Sequence, residues 1–255
     1  MKRLTLKARF EDRGTTLIEL MIAMGLLMVI ASVALGSITL AENQQANTYA
    51  RTISISQAQL TAEAVTKAIR NANYPYSATD TPIIEASPYE LYFYQGSYSS
   101  EGTNQLAVIW LANSTSATIS SGSNFEGSSS APSCIVASPC FLMENIYSYA
   151  PTSPPSYPPS YPPSGLTPGP QKVLGSGIVF PGSTNPCGSA LSSGGSHLCT
   201  SGSGIFQFYD GSLNPATDLS NLLTIGVTLQ AQYQVDKPLV SVTSYVQIRN
   251  LSSGS

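Results

Sequence analysis

The N-terminal part of the chain contains a continuous apolar run. Residues 20–41 carry no charged side chain and consist mainly of Leu, Ile, Val, Met, Ala and Gly. At about 1.5 Å of rise per residue, a helix of this length crosses the hydrocarbon core of a bilayer. The pattern therefore predicts a transmembrane helix, which we assign to residues 15–41.

Beyond residue 41 the apolar positions become periodic. Apolar residues recur near helical spacing, with polar residues between them, at Ala46, Tyr49, Ile53, Leu60, Ala64, Ala68 and Ala72. Glu63 and Lys67 are four residues apart, which predicts a favourable ion pair. Tyr74-Pro75 ends the pattern, because the residue before a proline is disfavoured in the helical region. We predict one helix over residues 15–73, whose amphipathic half (residues 42–74) packs on a sheet.

The remainder, residues 75–255, has runs typical of β-strands. Strands are predicted at residues 83–85, 89–94, 105–111, 141–146, 178–180, 205–209, 222–234 and 239–248. Asp210-Gly211 predicts a turn, and the Ser-rich and Gly-rich residues 113–133 predict a loop or weak strand. The fold class is therefore α+β, with a long N-terminal helix packed on an antiparallel sheet that forms a head domain with long loops.

Residues 151–170 form a proline-rich segment. It holds nine of the 18 prolines and repeats the tetrad PPSY. Such a tract predicts an extended polyproline II conformation rather than a helix or a central strand. Two interpretations stay open: an exposed insertion, or a recognition arm in which Tyr157 and Tyr161 contact a partner.

Composition and charge argue against several classes of function. The chain has 11 basic and 14 acidic residues; five of the basic and two of the acidic ones precede residue 15, which leaves a side-chain net of −6 for the rest. This balance argues against a nucleic-acid groove. His197 is the only histidine and lies in the run SSGGSHLC, so a catalytic triad is not expected. We expect no enzymatic activity, no cofactor and no metal.

The four cysteines fall into two local pairs, Cys134 with Cys140 and Cys187 with Cys199. Their spacing does not match a zinc site. Outside the cytoplasm, disulfides would connect loops that are poor in core residues. We predict the pairing 134–140 and 187–199 on proximity in sequence alone, since four cysteines allow three connectivities.

The charges ahead of the apolar run indicate its orientation. Residues 1–14 carry a side-chain net of +3, and the positive-inside rule keeps such a segment in the cytoplasm. A secretory signal peptide is cleaved after its apolar region. Here the apolar region is too long for a secretory signal peptide, and Gly14 lies before it. Cleavage after Gly14 would remove residues 1–14 as a leader and retain the helix.

Residues 14–21, GTTLIELM, resemble the class III signal sequence of type IV pilins and type II secretion pseudopilins. In that family a prepilin peptidase cuts after the glycine and methylates the new amine. The resemblance implies a mature chain that begins at an N-methylated Thr15, which stands where the family usually has Phe. FQFYDG (residues 206–211) and SVTSYVQIRN (residues 241–250) resemble the PilW-type minor pilins and the related J-type pseudopilins.

Glu19 lies just inside the N-terminal edge of the apolar run, where a carboxylate is costly unless it is neutralised. After cleavage, the α-amine of Thr15 is a cation four residues ahead of it. In a bundle of such helices, the amine of one subunit would neutralise the Glu19 of its neighbour. Opposite charges attract strongly at low dielectric, so this pairing would set the axial register. The alternative is a simple anchor with Glu19 at the lipid interface.

The resemblance implies a minor pilin that takes part in initiation or in the tip complex of a type IV pilus, with adhesion or twitching motility as further roles. Expected partners are other pilin and minor pilin subunits, prepilin peptidase, the inner membrane and the pilus assembly platform. The expected location is the bacterial inner membrane before assembly, and the pilus, periplasm or cell surface afterwards. One alternative is a type II secretion pseudopilin; another is a membrane-tethered adhesin or DNA-uptake protein.

Overall fold

The structure, a computed structural model, describes residues 16–72, 82–95, 104–113, 134–135, 137–149, 167–180, 198–199, 204–234 and 236–248. Its elements in chain order are helix α1 (Leu17–Arg70), strands β1 (Ile83–Ser87), β2 (Glu90–Gln95), β3 (Asn104–Ala112), β4 (Cys140–Tyr149), β5 (Thr167–Pro168), β6 (Lys172–Ile178) and β7 (Phe206–Tyr209), a short 3-10 helix (Leu219–Asn221), and strands β8 (Thr224–Ala231) and β9 (Val240–Gln247). The chain divides into two compact units, Met1–Thr48 and Tyr49–Ser255.

Helix α1 ends three residues before the predicted residue 73. Its last turn tightens, because the backbone N–H groups of Asn71 and Ala72 donate to Ala68 and Ile69, each three residues earlier. Ala72 then pairs with Gln95 at the end of β2. The chain therefore leaves the helix by joining the sheet before it reaches the proline.

The strands of the second unit form one antiparallel sheet with the order β1-β2-β3-β4-β6-β8-β7. Strand β5 pairs with β4, and β9 pairs with β8. The predicted α+β class, with one long N-terminal helix and an antiparallel sheet, is confirmed at this level.

One face of the sheet packs on the second half of α1 in a single hydrophobic core. The helix contributes mainly small side chains: Ala58, Ala62, Val65, Ala68, Ile69 and Ala72. Small residues let the helix backbone come close to the strands, whose Phe93, Ile109 and Val227 fill the space between. The predicted apolar face agrees with this buried face only at Ala68 and Ala72, whereas Tyr49 and Leu60 are 65% and 63% exposed.

The opposite face of the first strands carries a second buried cluster. Its members include Tyr92, Val108, Trp110, Met143 and Tyr147. Successive residues of a strand point to opposite faces, so β2 and β3 have continuous apolar stretches, residues 91–94 and 106–112, instead of alternating. The aromatic runs at residues 89–94 and 105–111 therefore fit strands that are buried on both faces.

Strand β6 differs from the prediction, which had a strand at residues 178–180. The observed strand ends at Ile178, and Phe180 instead forms an isolated bridge with Cys134. Gly175 accounts for the position of β6 and for the failure of the sequence pattern to predict this strand. A Cβ at Gly175 would collide with the side chain of Thr61, so only glycine lets β6 lie this close to α1.

The end of the proline-rich segment joins the sheet, which was not predicted. Thr167 and Pro168 of β5 pair with Ser148 and Tyr147 of β4. The donor that Pro168 lacks is supplied by Gly169, whose N–H donates to the carbonyl of Ile146 at 2.7 Å. Residues 151–166, including Tyr157 and Tyr161, lie outside the described residues.

The cysteines Cys134 and Cys140 form a disulfide, and both are completely buried. Cys199 is also disulfide-bonded. Its predicted partner, Cys187, lies outside the described residues. The first bridge closes a short loop directly before β4, at the edge of the main core.

Candidate functional site

The first half of α1 presents an exposed apolar surface. Every large hydrophobic residue from Leu17 to Leu40 is more than half exposed, up to 78% at Leu17. Monomeric soluble proteins rarely expose contiguous apolar patches larger than a few hundred Å². Within the part of the chain that the structure describes, α1 is the one helix that is long and apolar enough to cross a membrane.

The polar residues inside this apolar half are satisfied within the helix. The hydroxyls of Ser32, Ser37 and Thr39 donate to the carbonyls of Val29, Val33 and Gly36, respectively, at 2.8–2.9 Å. In hydrocarbon an unsatisfied hydroxyl would be costly, whereas a hydroxyl bonded to its own helix is tolerated. These three residues are therefore compatible with an apolar environment.

Unlike these three hydroxyls, the Glu19 carboxylate forms no hydrogen bond within the helix. Thr16 precedes the helix and Glu19 is its third residue, the spacing of a capping box in which the two side chains satisfy the first backbone N–H groups. In the structure the N–H of Glu19 instead donates to the backbone carbonyl of Thr16 at 3.0 Å, as in a 3-10 turn. Among the described residues, however, the Glu19 carboxylate forms no hydrogen bond or ion pair. Capping therefore does not account for this acid.

Other predicted site residues cannot be placed in the fold. Gly14, Thr15 and Cys187 lie outside the described residues. His197, which was not predicted to be a site residue, lies outside them as well. The described ranges contain no group of three or more His, Cys, Asp or Glu side chains arranged to hold a metal ion.

A groove of about 770 Å³ lies between the end of α1 and strand β9 and was not predicted. Its helix wall includes Glu63, Lys67 and Arg70, and its strand wall is formed by Val242, Thr243 and Ser244. Thr66 and Ser244 come within 3.5 Å at their hydroxyl oxygens, so the two walls touch at the base. The sequence could not reveal this groove, because it depends on which sheet edge lies beside the helix.

The predicted Glu63–Lys67 ion pair is not formed. Both side chains are exposed, and no distance of 4.0 Å or less joins them to each other or to another described charge. Exposed pairs of this spacing contribute only about 0.3–0.5 kcal/mol, so little is lost when the two side chains separate. Both charges are consequently available at the groove.

The predicted turn at Asp210-Gly211 is present and is organised by a carboxylate. Asp210 Oδ1 accepts hydrogen bonds from the backbone N–H groups of Ser212 and Asn214, each at 2.8 Å. The bond from Asn214 is the main reason that the pKa of Asp210 is lowered. The positive φ of the turn falls on Leu213 (61°) instead of Gly211.

No family model, curated protein or solved structure matches this chain. In the described residues, the structure establishes a long N-terminal helix that is apolar in its first half, an antiparallel sheet and the Cys134–Cys140 disulfide.

Proposed function

We propose that this chain is a minor pilin of a type IV pilus, processed after Gly14 and inserted in the inner membrane through residues 15–41 before it joins an initiating or tip complex. The observation that carries the proposal is the Glu19 carboxylate at the start of an exposed apolar helix, which forms no hydrogen bond or ion pair with a described residue. The motif GTTLIELM supplies the family resemblance, and the continuous helix Leu17–Arg70 supplies the mechanical element.

The exposed apolar half of α1 supports burial in two successive environments. About 25 cal/mol is gained per Å² of apolar surface removed from water, so this half-helix is unstable in contact with solvent. Lipid covers it before assembly. Packing against equivalent helices of other subunits covers it afterwards. A helix that is apolar all round suits both environments, because it presents no polar face that must stay wet.

Glu19 gives this apolar packing a defined register. At about 4 Å and an effective dielectric constant near 20, an amine and a carboxylate attract by about 4 kcal/mol. Sliding the helices by one turn, about 5.4 Å, separates the two charges and leaves each poorly solvated. The α-amine of a neighbouring Thr15 would therefore select one stagger among the many that apolar side chains alone permit.

The experiment compares Glu19→Ala with Glu42→Ala, an exposed acid of the same helix beyond the predicted membrane segment. Both variants are expected to be processed and held in the membrane. Glu19→Ala should be depleted about tenfold or more from sheared filaments, since loss of a buried charge partner leaves the other charge unpaired. Glu42→Ala should be incorporated like the wild type. Normal incorporation of Glu19→Ala would refute the charge-pairing argument.

A further inference from the structure

Within the described residues, one edge of strand β9 is unpaired. The carbonyl of Gln230 accepts from Val179 and the N–H of Thr228 donates to Ile205, so alternate residues of β8 face away from β9. The intervening residues of β8 bind Val242, Ser244 and Val246, their neighbours in the β8–β9 register. The backbone groups of the alternate β9 residues then point to the other edge: Ser241, Thr243, Tyr245 and Gln247. Within the described residues, β9 pairs with β8 alone.

This edge lacks the features that usually prevent strand addition. Natural edge strands are short, bulged, charged or interrupted by proline. Strand β9 has eight residues, contains neither a charge nor a proline, and keeps a regular register with β8 throughout. Strand β1, at the far end of the sheet, has several of these features: it has five residues, contains Glu85, has a register shift after Ile83, and accepts a hydrogen bond at Ala86 from the N–H of Cys199.

The groove beside β9 runs along the same edge and is bounded by the helix. Adjacent strands lie about 4.8 Å apart, so a strand added to β9 would occupy this groove and direct alternate side chains at the wall of α1. That wall presents two cations, Lys67 and Arg70, and one acid, Glu63. Neither cation forms a hydrogen bond or ion pair with a described residue. The helix dipole favours cations in a last turn, but it does not require that they line an open strand edge.

We propose that the β9 edge and the Lys67/Arg70 wall together bind an extended acidic segment of a partner protein by strand addition. Main-chain hydrogen bonds to Thr243 and Tyr245 would hold the segment. Its carboxylates, on the side that faces α1, would contact Lys67 and Arg70. This inference does not depend on the filament proposal, since it uses only strand β9 and the C-terminal end of α1.

The test uses the full-length protein in detergent micelles and two fluorescent seven-residue peptides. One peptide alternates glutamate with valine, and the other has lysine in place of glutamate. The acidic peptide is expected to bind about tenfold more tightly, and an acidic peptide N-methylated at alternate residues should bind at least tenfold more weakly than its parent. Equal binding of the N-methylated peptide would overturn strand addition.

Charge-reversal variants and amide exchange locate the binding. The double variant Lys67→Glu/Arg70→Glu should reverse the preference between the two peptides, whereas Arg51→Glu, an exposed cation of α1 outside the groove, should leave it unchanged. Amide exchange measured by NMR should slow at Thr243 and Tyr245 when the acidic peptide is added. Slowing confined to α1 would overturn the proposal. Slowing that appears without peptide as protein concentration rises would assign the edge to a second copy and also overturn it.

Discussion

The contact between Gly175 and Thr61 offers a quantitative test of how the head domain packs. A methyl group added at Gly175 would meet three side-chain atoms of Thr61, including Cβ at 2.6 Å. Thr61 is 3% exposed, and its hydroxyl donates to the carbonyl of Gln57 at 2.8 Å, so the side chain has no free space to move into. Overpacking of this kind costs about 1–3 kcal/mol. Gly175→Ala should therefore destabilise the head by that amount.

A compensating change separates this clash from other effects of the substitution. Thr61→Gly removes all three clashing atoms, at a cost of about 0.3–0.5 kcal/mol in helix propensity relative to threonine plus the lost burial of the methyl group. With Thr61→Gly already present, Gly175→Ala should cost little more. The double variant should thus be about 1–3 kcal/mol more stable than the sum of the two single changes predicts.

Urea unfolding of the full-length protein in detergent measures these differences. Trp110 is the only tryptophan and is 6% exposed, so its fluorescence reports unfolding of the sheet. Ser176→Ala is the matched control, because Ser176 is exposed on the same strand. A wild-type midpoint for Gly175→Ala, or strictly additive effects in the double variant, would refute the packing argument.

Two further perturbations test other parts of the head domain. Replacing Cys134 and Cys140 together by alanine should lower the free energy of unfolding by about 2 kcal/mol, because the bridge closes a loop with a sequence separation of 6; an unchanged urea midpoint would contradict this expectation. The pKa of Asp210 is lowered in the folded state, so its stabilising contribution is present above the ordinary aspartate pKa and is lost as the pH falls through the lowered value. The urea midpoint of Asp210→Asn should therefore be lower than that of the wild type at pH 7, and the two midpoints should converge in acid. A difference in midpoint that grows in acid would contradict this argument.

Helix α1 and most of the strands could be predicted, because the sequence patterns that indicate them are local. The apolar run, the helical period and the β-branched and aromatic runs each depend on residues close in sequence, and the positions of α1 and most strands follow them, although the period did not identify the buried face of the helix. Strand β6 was not predicted, because Gly175 has no side chain that would indicate a strand. Glycine is required at this position only because Thr61 of α1 lies so close to it. Strand β5 was not predicted, because it consists of two residues of a proline-rich segment and these show no strand pattern.

The residues of the candidate site also differ in whether the sequence alone could identify them. Glu19 could be recognised from sequence, since a single acid in an apolar run is conspicuous without any structure. The groove at Lys67 and Arg70 could not be recognised, because it is formed by a helix and a strand more than 170 residues apart, as the Thr66–Ser244 contact shows. The predicted ion pair between Glu63 and Lys67 was wrong for a related reason: the spacing permits the pair but does not enforce it.

The central claim is that this chain is processed as a pilin and then enters a filament through its N-terminal helix. The most direct test is the intact mass of the protein isolated from membranes of cells with an active prepilin peptidase, with Gly14→Ala as the matched variant. We predict a wild-type chain that begins at N-methylated Thr15 and a Gly14→Ala chain that keeps its leader. A wild-type chain that retains residues 1–14 in those cells would contradict the account.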